Sequence, residues 1–268
     1  MTESETGFAP RLHRPSTGVV ITGGASGIGL ATAQALAAVG RPVALWDINA
    51  DGVQAAAAAI ARDYAVAAVG IAADLRNPQA ITPSAIATRA AIGPVGGIVH
   101  AAGTAEVTGI EGVTPDNWDS GINLHVRPII LLVQAFRDDL RAQPGSAIVA
   151  LSSINATLGN AMIPIYSAAK GAVISLVRSM ADALAGEGIR INAVSPGLID
   201  TPIVAVAKAA APGHFERRIM FGRYGEAQEV GRVIRFLLSD EASYVTAAEI
   251  VVDGGTTGAP AGSAHYRS

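Results

Sequence analysis

The chain has 268 residues, of which 50% are hydrophobic, 15% charged and 4% aromatic, and its formal net charge is −3. This length suffices for one large domain, and the small net charge without a basic cluster argues against a nucleic-acid partner. The absence of cysteine excludes disulfides, thiol catalysis and cysteine metal sites.

No apolar run approaches the roughly 20 residues of a membrane span. The polar segment of residues 1–15 also lacks the apolar core of a signal peptide. We therefore expect no membrane partner, a cytoplasmic location and a flexible tail over residues 1–15. Residues 258–268 are predicted to be a second tail, and their composition leaves open whether it contacts a neighbouring subunit.

The first predicted strand, Gly18–Thr22, is short, apolar and β-branched, which is typical of a buried strand. A glycine-rich turn follows at once, and then an alanine- and leucine-rich helix is expected over residues 30–39. Strand, glycine turn and helix is the context in which a dinucleotide pyrophosphate lies on a helix N-terminus. The residues expected to contact it are Gly23, Ser26, Gly27, Ile28 and Gly29.

Asp47 ends the second predicted strand, residues 42–47, and lies 24 residues after Gly23. A carboxylate near this distance holds the 2′-hydroxyl of an adenosine ribose and repels a 2′-phosphate. Neither Ser26 nor Ile48, which flank Gly27 and Asp47, supplies a cation for such a phosphate. The sequence therefore predicts NAD in preference to NADP, and leaves open that Asp47 also caps the helix expected over residues 50–61.

Further strands alternate with helices along the rest of the chain, at residues 65–72, 96–103, 146–151, 189–194 and 249–252. Such alternation indicates βαβ units and a parallel sheet. We expect a doubly wound α/β fold of the Rossmann type, in which helices flank both faces of a seven-stranded parallel sheet. One domain would cover residues 16–257.

Ligands of such folds bind at the carboxyl ends of the strands. Several motifs fall on this rim after the third, fourth, fifth and sixth strands, namely Asp74, Leu75, Ala101, Ala102, Gly103, Ser153, Pro196 and Gly197. Asp74 is a candidate for the adenine amino group or, alternatively, for capping the helix after Asn77. The convergence of separate motifs on one rim predicts a single nucleotide site.

Two long helices are expected over residues 115–141 and 164–186, and the second carries Tyr166 and Lys170. Because these residues are four apart, their side chains leave the same face of the helix. An ammonium beside a phenol is expected to lower the phenol's pKa from about 10. Such a phenol suits proton transfer near neutral pH.

Together these motifs resemble the short-chain dehydrogenase/reductase family over nearly the whole chain. The resemblance rests on Thr22, Gly23, Gly27, Gly29, Asp74, Ala101, Ala102, Gly103, Asn123, Ser153, Tyr166, Lys170, Pro196, Gly197, Asp253, Gly254 and Gly255. It implies an NAD-dependent oxidoreductase that transfers a hydride to or from a secondary alcohol or ketone.

The resemblance also implies the roles of the site residues. Tyr166 would be the general acid/base, and Ser153, thirteen residues earlier, would stabilise the substrate oxygen. Lys170 would bind the nicotinamide ribose and tune Tyr166, and Asn123 would break its helix and hold a water of the proton relay. Pro196, Gly197, Ile199 and Thr201 would contact the nicotinamide end of the cofactor.

His100 stands where the family motif has asparagine, and we interpret it as a packed or capping histidine in preference to an acid/base. The other histidines lack ligand spacing, so no metal site is predicted.

The family places a substrate lid at about residues 201–223, and here its first part is apolar, as are Leu158 and Met162 near Ser153. This favours a compact apolar alcohol or ketone, alicyclic, terpenoid or steroid-like. The two long helices resemble those that pair in family tetramers, so we expect a homotetramer.

Two alternatives are a non-catalytic NAD-binding or sensory protein on the same fold, and a reductase of polar sugar or acyl substrates. The presence of Asn123, Ser153, Tyr166 and Lys170 together favours an enzyme.

Overall fold

The computed structural model of this protein describes residues 10–211 and 213–258, except the side chains of residues 206 and 207. The predicted tails therefore lie outside the described residues over 1–9 and 259–268. No helix within the described ranges is both long enough and apolar enough to cross a bilayer.

A seven-stranded parallel sheet in the order β3-β2-β1-β4-β5-β6-β9 forms the centre of the fold. Its strands are β1 (Gly18–Thr22), β2 (Val43–Asp47), β3 (Ala68–Ala72), β4 (Val95–His100), β5 (Ala147–Leu151), β6 (Arg190–Pro196) and β9 (Glu249–Val252). Residues in β1, β4, β5 and β6 are buried throughout, which explains their continuous apolar runs. The predicted doubly wound α/β fold is confirmed.

The helices are α1 (Gly27–Ala37), α2 (Ala50–Tyr64), α3 (Ile81–Ile92), α4 (Pro115–His125), α5 (Arg127–Ala142), α6 (Asn155–Leu158), α7 (Pro164–Ala185), α8 (Pro202–Ala210) and α9 (Ala227–Leu237). Core residues of α3, α5 and α7 pack against one face of the sheet. Those of α1, α2 and α9 pack against the other. Because all seven strands are parallel, their carboxyl ends lie together on one rim of the sheet.

Residues 115–141 form two helices that meet at Val126. The family resemblance predicted a break at Asn123, which instead lies within the last turn of α4. Pro128 explains the break: it has no N–H to donate to the carbonyl oxygen of Leu124, and its ring disfavours a continuous helix. The freed carbonyl of Leu124 instead accepts a hydrogen bond from Nε2 of His100 over 3.1 Å.

A second, two-stranded parallel sheet was not predicted. It pairs β7 (Ile199–Asp200) with β8 (Gly225–Glu226). The pairing brings together the two ends of the segment that contains α8. Two-residue strands carry no periodicity, so they could not be predicted from the sequence.

Candidate active site

A cleft of about 330 Å³ lies along the carboxyl ends of the strands. All the residues predicted to contact the cofactor line it, together with Ser153, Tyr166 and Lys170. Asn123 is not among its lining residues; it lies in the last turn of α4. The cleft therefore joins the glycine-rich turn to the predicted proton-transfer group.

The glycine-rich turn is shaped so closely that side chains would not fit. A Cβ on Gly29 would lie 2.1 Å from the carbonyl oxygen of Gly23, and one on Gly23 would lie 2.9 Å from the Ala102 backbone. Gly23 and Gly27 also have φ values of 68° and 53°, which side-chain-bearing residues adopt at a cost. The turn thus presents bare backbone at the start of α1, as a pyrophosphate requires.

The Asp47 carboxylate stands at the end of β2 on the wall of this cleft. One oxygen accepts a hydrogen bond from the Ala25 N–H and the other from the Asn49 N–H, each over 3.0 Å. The cap of α2 is Asn49, whose side chain accepts from Gly52, so Asp47 does not cap this helix. It fixes the glycine turn and leaves a negative charge on the cleft wall.

Asp74 is held by Arg76, with both carboxylate oxygens accepting from its guanidinium over 3.0 Å. This pairing lowers the pKa of Asp74. The alternative role as a helix cap is wrong, because the short 3₁₀ turn after it is capped by Asn77.

Tyr166 and Ser153 lie together at the opposite end of the cleft from Asp47. Burial raises the pKa of Tyr166 above its ordinary value, and the hydrogen bond with Ser153 acts in the other direction. The expectation that Lys170 lowers this pKa is therefore wrong for the structure described, since desolvation of the phenolate prevails.

Lys170 is 4% exposed and donates a hydrogen bond from Nζ to the carbonyl oxygen of Leu151 over 2.7 Å. Burial lowers the pKa of its ammonium to about 7. Nζ lies 5.5 Å from the centre of the Tyr166 ring. Lys170 is therefore poised to exchange a proton near neutral pH, one helical turn from the phenol.

Comparison with known proteins agrees with this geometry. A family model described as enoyl-(acyl carrier protein) reductase matches residues 23–257. The chain belongs to the short-chain dehydrogenase/reductase family. It is an oxidoreductase of the group that acts on alcohols and ketones.

Cis-4-hydroxycyclohexanecarboxylate dehydrogenase of Sinomonas cyclohexanicum is 36% identical over 239 residues, which cover 89% of this chain and 95% of that protein. Levodione reductase of Leifsonia aquatica is 33% identical over 90% of this chain and 94% of its own length. A levodione reductase crystal structure superposes with a TM-score of 0.84 at 34% identity, covering 91% of this chain and 99% of that one.

A structure of L-sorbose reductase from Gluconobacter frateurii, complexed with NADPH and L-sorbose, has a TM-score of 0.85 at 26% identity. It covers 91% of this chain and 98% of that one. Relatives of this dehydrogenase/reductase thus differ in substrate and include NADPH-bound structures.

His100 acts as a structural bridge in this family member, as the packed interpretation predicted. Since Nε2 must donate to the carbonyl of Leu124, Nδ1 accepts from the Thr22 hydroxyl over 2.9 Å. The Thr22 oxygen in turn accepts from the N–H groups of Ala101 and Ala102. The network holds the turn after β4 on the cleft wall.

Sequence reasoning missed several lining residues, among them Arg76, Thr104, His125 and Ser152. Ser152 donates to the carbonyl oxygen of Lys170 over 2.8 Å, so it fixes α7 on β5. His125 follows Asn123 by two residues, and that proximity was the one available signal. The described residues contain no group of three metal-ligating side chains.

Proposed function

We propose that this protein is an NAD-dependent dehydrogenase/ketoreductase of compact, apolar secondary alcohols and ketones. The observation that carries the proposal is the single cleft lined by Asp47 at one end and by Ser153, Tyr166 and Lys170 at the other. A nucleotide site alone would not require the second group of residues.

The cradle formed by Gly23, Gly27 and Gly29 fits a pyrophosphate, and the Asp47 carboxylate fits an adenosine ribose with free hydroxyls. Ile48 beside it is 62% exposed and uncharged, so it offers no partner for a 2′-phosphate. These features support NAD. When bound, the nicotinamide supplies the hydride chemistry.

The side chains around Tyr166 would handle the proton. In ketone reduction the neutral phenol donates its proton to the substrate oxygen while Ser153 hydrogen-bonds the same oxygen and stabilises the charge that develops there. In alcohol oxidation the Tyr166 oxygen takes the proton back. Lys170 would return a proton to Tyr166 and hold the ribose, and Asn123 would support the relay from α4.

Apolar side chains border the substrate end of the cleft. Pro202, Ile203 and Val204 of α8 line it, and Ile203 is 57% exposed. Leu158 and Met162 lie near Ser153 in the sequence and are 55% and 57% exposed. This border favours a substrate such as a substituted cyclohexanol, in keeping with the name of the Sinomonas relative. The segment of residues 201–223 would act as the lid.

A substrate panel tests the proposal. Purified protein is mixed with NAD or NADP and with cyclic secondary alcohols, polyols and 3-hydroxyacyl thioesters, and NADH or NADPH is followed by absorbance. We expect the highest kcat/KM for a cyclic alcohol with NAD. A preference for polyols, acyl thioesters or NADP would contradict the respective part of the proposal.

We further propose a homotetramer located in the cytoplasm. Trp118 of α4 and Ile130 of α5 are 42% and 38% exposed on their helices, which supports pairing of this surface with another copy. Light scattering at micromolar protein would give four subunit masses, and a single-subunit mass would contradict the tetramer.

A further inference from the structure

His125 is the last residue of α4 and lies on the wall of the cleft that contains Tyr166. Its side chain is 2% exposed, and the mechanism above gives it no part. Two contacts determine the position of its ring.

The first contact is a hydrogen bond of 3.0 Å between Nε2 and the carbonyl oxygen of Thr104. Because a carbonyl oxygen only accepts, Nε2 carries the proton. The second contact is with the Tyr166 ring, which it meets edge to face with centroids 5.4 Å apart and planes at 87°. The imidazole therefore ties the acid/base phenol to the loop after β4.

The remaining ring nitrogen, Nδ1, is buried and has no hydrogen-bond partner among the described residues. An unpaired buried acceptor costs free energy, whereas an apolar side chain of similar size avoids that cost. Burial and the charge of Lys170 lower the pKa of His125 to about 2, so the ring stays neutral. Core packing alone would favour leucine here, and the histidine calls for another explanation.

Gly103 provides the space for the ring. A Cβ at this position would lie 2.5 Å from Cε1 and 2.9 Å from Nδ1 of His125. The imidazole is thus wedged between the turn after β4 and the Tyr166 ring, with little freedom to move.

We propose that His125 is a positioning residue for Tyr166, an inference that rests on the proposed function. Tethered to Thr104, the imidazole braces the phenol ring so that the Tyr166 hydroxyl stays beside Ser153 and the substrate oxygen.

Steady-state kinetics on His125→Leu and His125→Gln test the brace. Small displacements of a reacting group cost up to about 100-fold in rate, so we expect kcat of His125→Leu to fall by about 10–100-fold. Its KM for NAD should stay within about twofold. Its melting temperature should not fall, because removal of the unpaired nitrogen offsets the lost hydrogen bond to Thr104, an exposed residue whose carbonyl oxygen water can reach. His125→Gln can still donate to Thr104, so its kcat should be at least about threefold higher than that of His125→Leu.

Phe136→Leu is the matched control, since Phe136 is fully buried in the core away from the cleft. It should lower the melting temperature and leave kcat per folded molecule unchanged. The proposal is overturned if His125→Leu keeps kcat within about twofold of the parent, if it loses activity only as it loses stability, or if His125→Gln equals His125→Leu.

A second readout does not depend on turnover. The chain has five tyrosines, so the ¹³C-tyrosine resonance that disappears in Tyr166→Phe identifies Tyr166. In His125→Leu we expect this resonance to shift and broaden, and an unchanged resonance would overturn the brace. Failure of the proposed function would instead appear as absent NAD-dependent turnover in the parent protein, whatever the resonance does.

Discussion

Nε2 of His100 donates a hydrogen bond to the carbonyl oxygen of Leu124, which Pro128 leaves without its helical partner. One bond thus joins the end of β4 to the break between α4 and α5. Leu124 directly follows Asn123. The other ring nitrogen of His100 is bonded to Thr22, which directly precedes the glycine-rich turn. The carbonyl group that the helix break frees is therefore bound by a residue 24 positions earlier in the chain.

His100→Asn tests this bridge through its dependence on pH. Burial and the charge of Lys170 lower the pKa of His100 to about 3 from 6.5. Between pH 3 and pH 6.5 His100 is protonated in the unfolded chain but neutral in the folded chain. The free energy of unfolding therefore decreases as pH falls below 6.5. By pH 5 this costs about 2 kcal/mol.

We therefore expect His100→Asn to be about 1 kcal/mol less stable at neutral pH, because the shorter asparagine side chain loses the hydrogen bond to the carbonyl oxygen of Leu124. It should match or exceed the parent near pH 5. Urea unfolding at several pH values measures both, with His13→Gln, an exposed residue, as the control. Parallel pH curves for parent and His100→Asn would argue against the buried neutral histidine.

Lys170→Met should stabilise the protein while it removes activity. Burial lowers the pKa of Lys170 from 10.5 to about 7. Keeping the ammonium charged in the folded state therefore reduces the free energy of unfolding. That cost is full below about pH 7 and vanishes as pH rises toward 10.5. We expect Lys170→Met to gain about 1–3 kcal/mol at pH 6 and to lose this advantage progressively at higher pH.

Lys208→Met is the control for that experiment, because Lys208 is partly exposed and pairs with Asp200 over 2.5 Å. Its removal should bring no gain. If Lys170→Met proved less stable than the parent at pH 6, burial of the ammonium would not be destabilising the folded protein.

Asp47→Asn tests the cofactor preference. The substitution keeps the shape of the side chain but removes the charge that, under the proposed function, would face the adenosine ribose, so the Kd of NAD should rise about 10-fold. NADP binding should stay equal or improve. Fluorescence titration with both dinucleotides measures this, with Asp51→Asn at the exposed start of α2 as a charge-matched control. Weaker binding of both dinucleotides to the same extent would show that Asp47 only braces the turn.

The sequence predicted the elements whose patterns are local. Gly18–Thr22 was placed with its observed bounds, because a buried parallel strand is apolar at every position. Glu249–Val252 was also placed with its observed bounds, although it is an edge strand that begins with a glutamate and is only partly buried. The rim motifs were predicted to converge because a parallel sheet brings the carboxyl ends of all its strands to one edge.

What the sequence could not predict depends on contacts between distant residues. The pKa of Tyr166 moved opposite to expectation because burial, which a helical spacing does not reveal, outweighs the hydrogen bond with Ser153. The apposition of His125 on Tyr166 likewise joins two elements. A helix break was predicted at Asn123 from the family resemblance, and its observed position near Val126 could have been inferred from Pro128.

Turnover of Tyr166→Phe decides whether this phenol is the acid/base. Without the phenol hydroxyl the proposed acid/base is removed and only Ser153, the proposed stabiliser of the substrate oxygen, remains beside it. The Phe ring keeps its packing on His125. With a cyclic secondary alcohol and NAD, we predict NADH formation by the parent, a rate at least about 1,000-fold lower for Tyr166→Phe, and an NAD Kd within about threefold of the parent value. Turnover of the variant at a rate close to that of the parent would contradict the account.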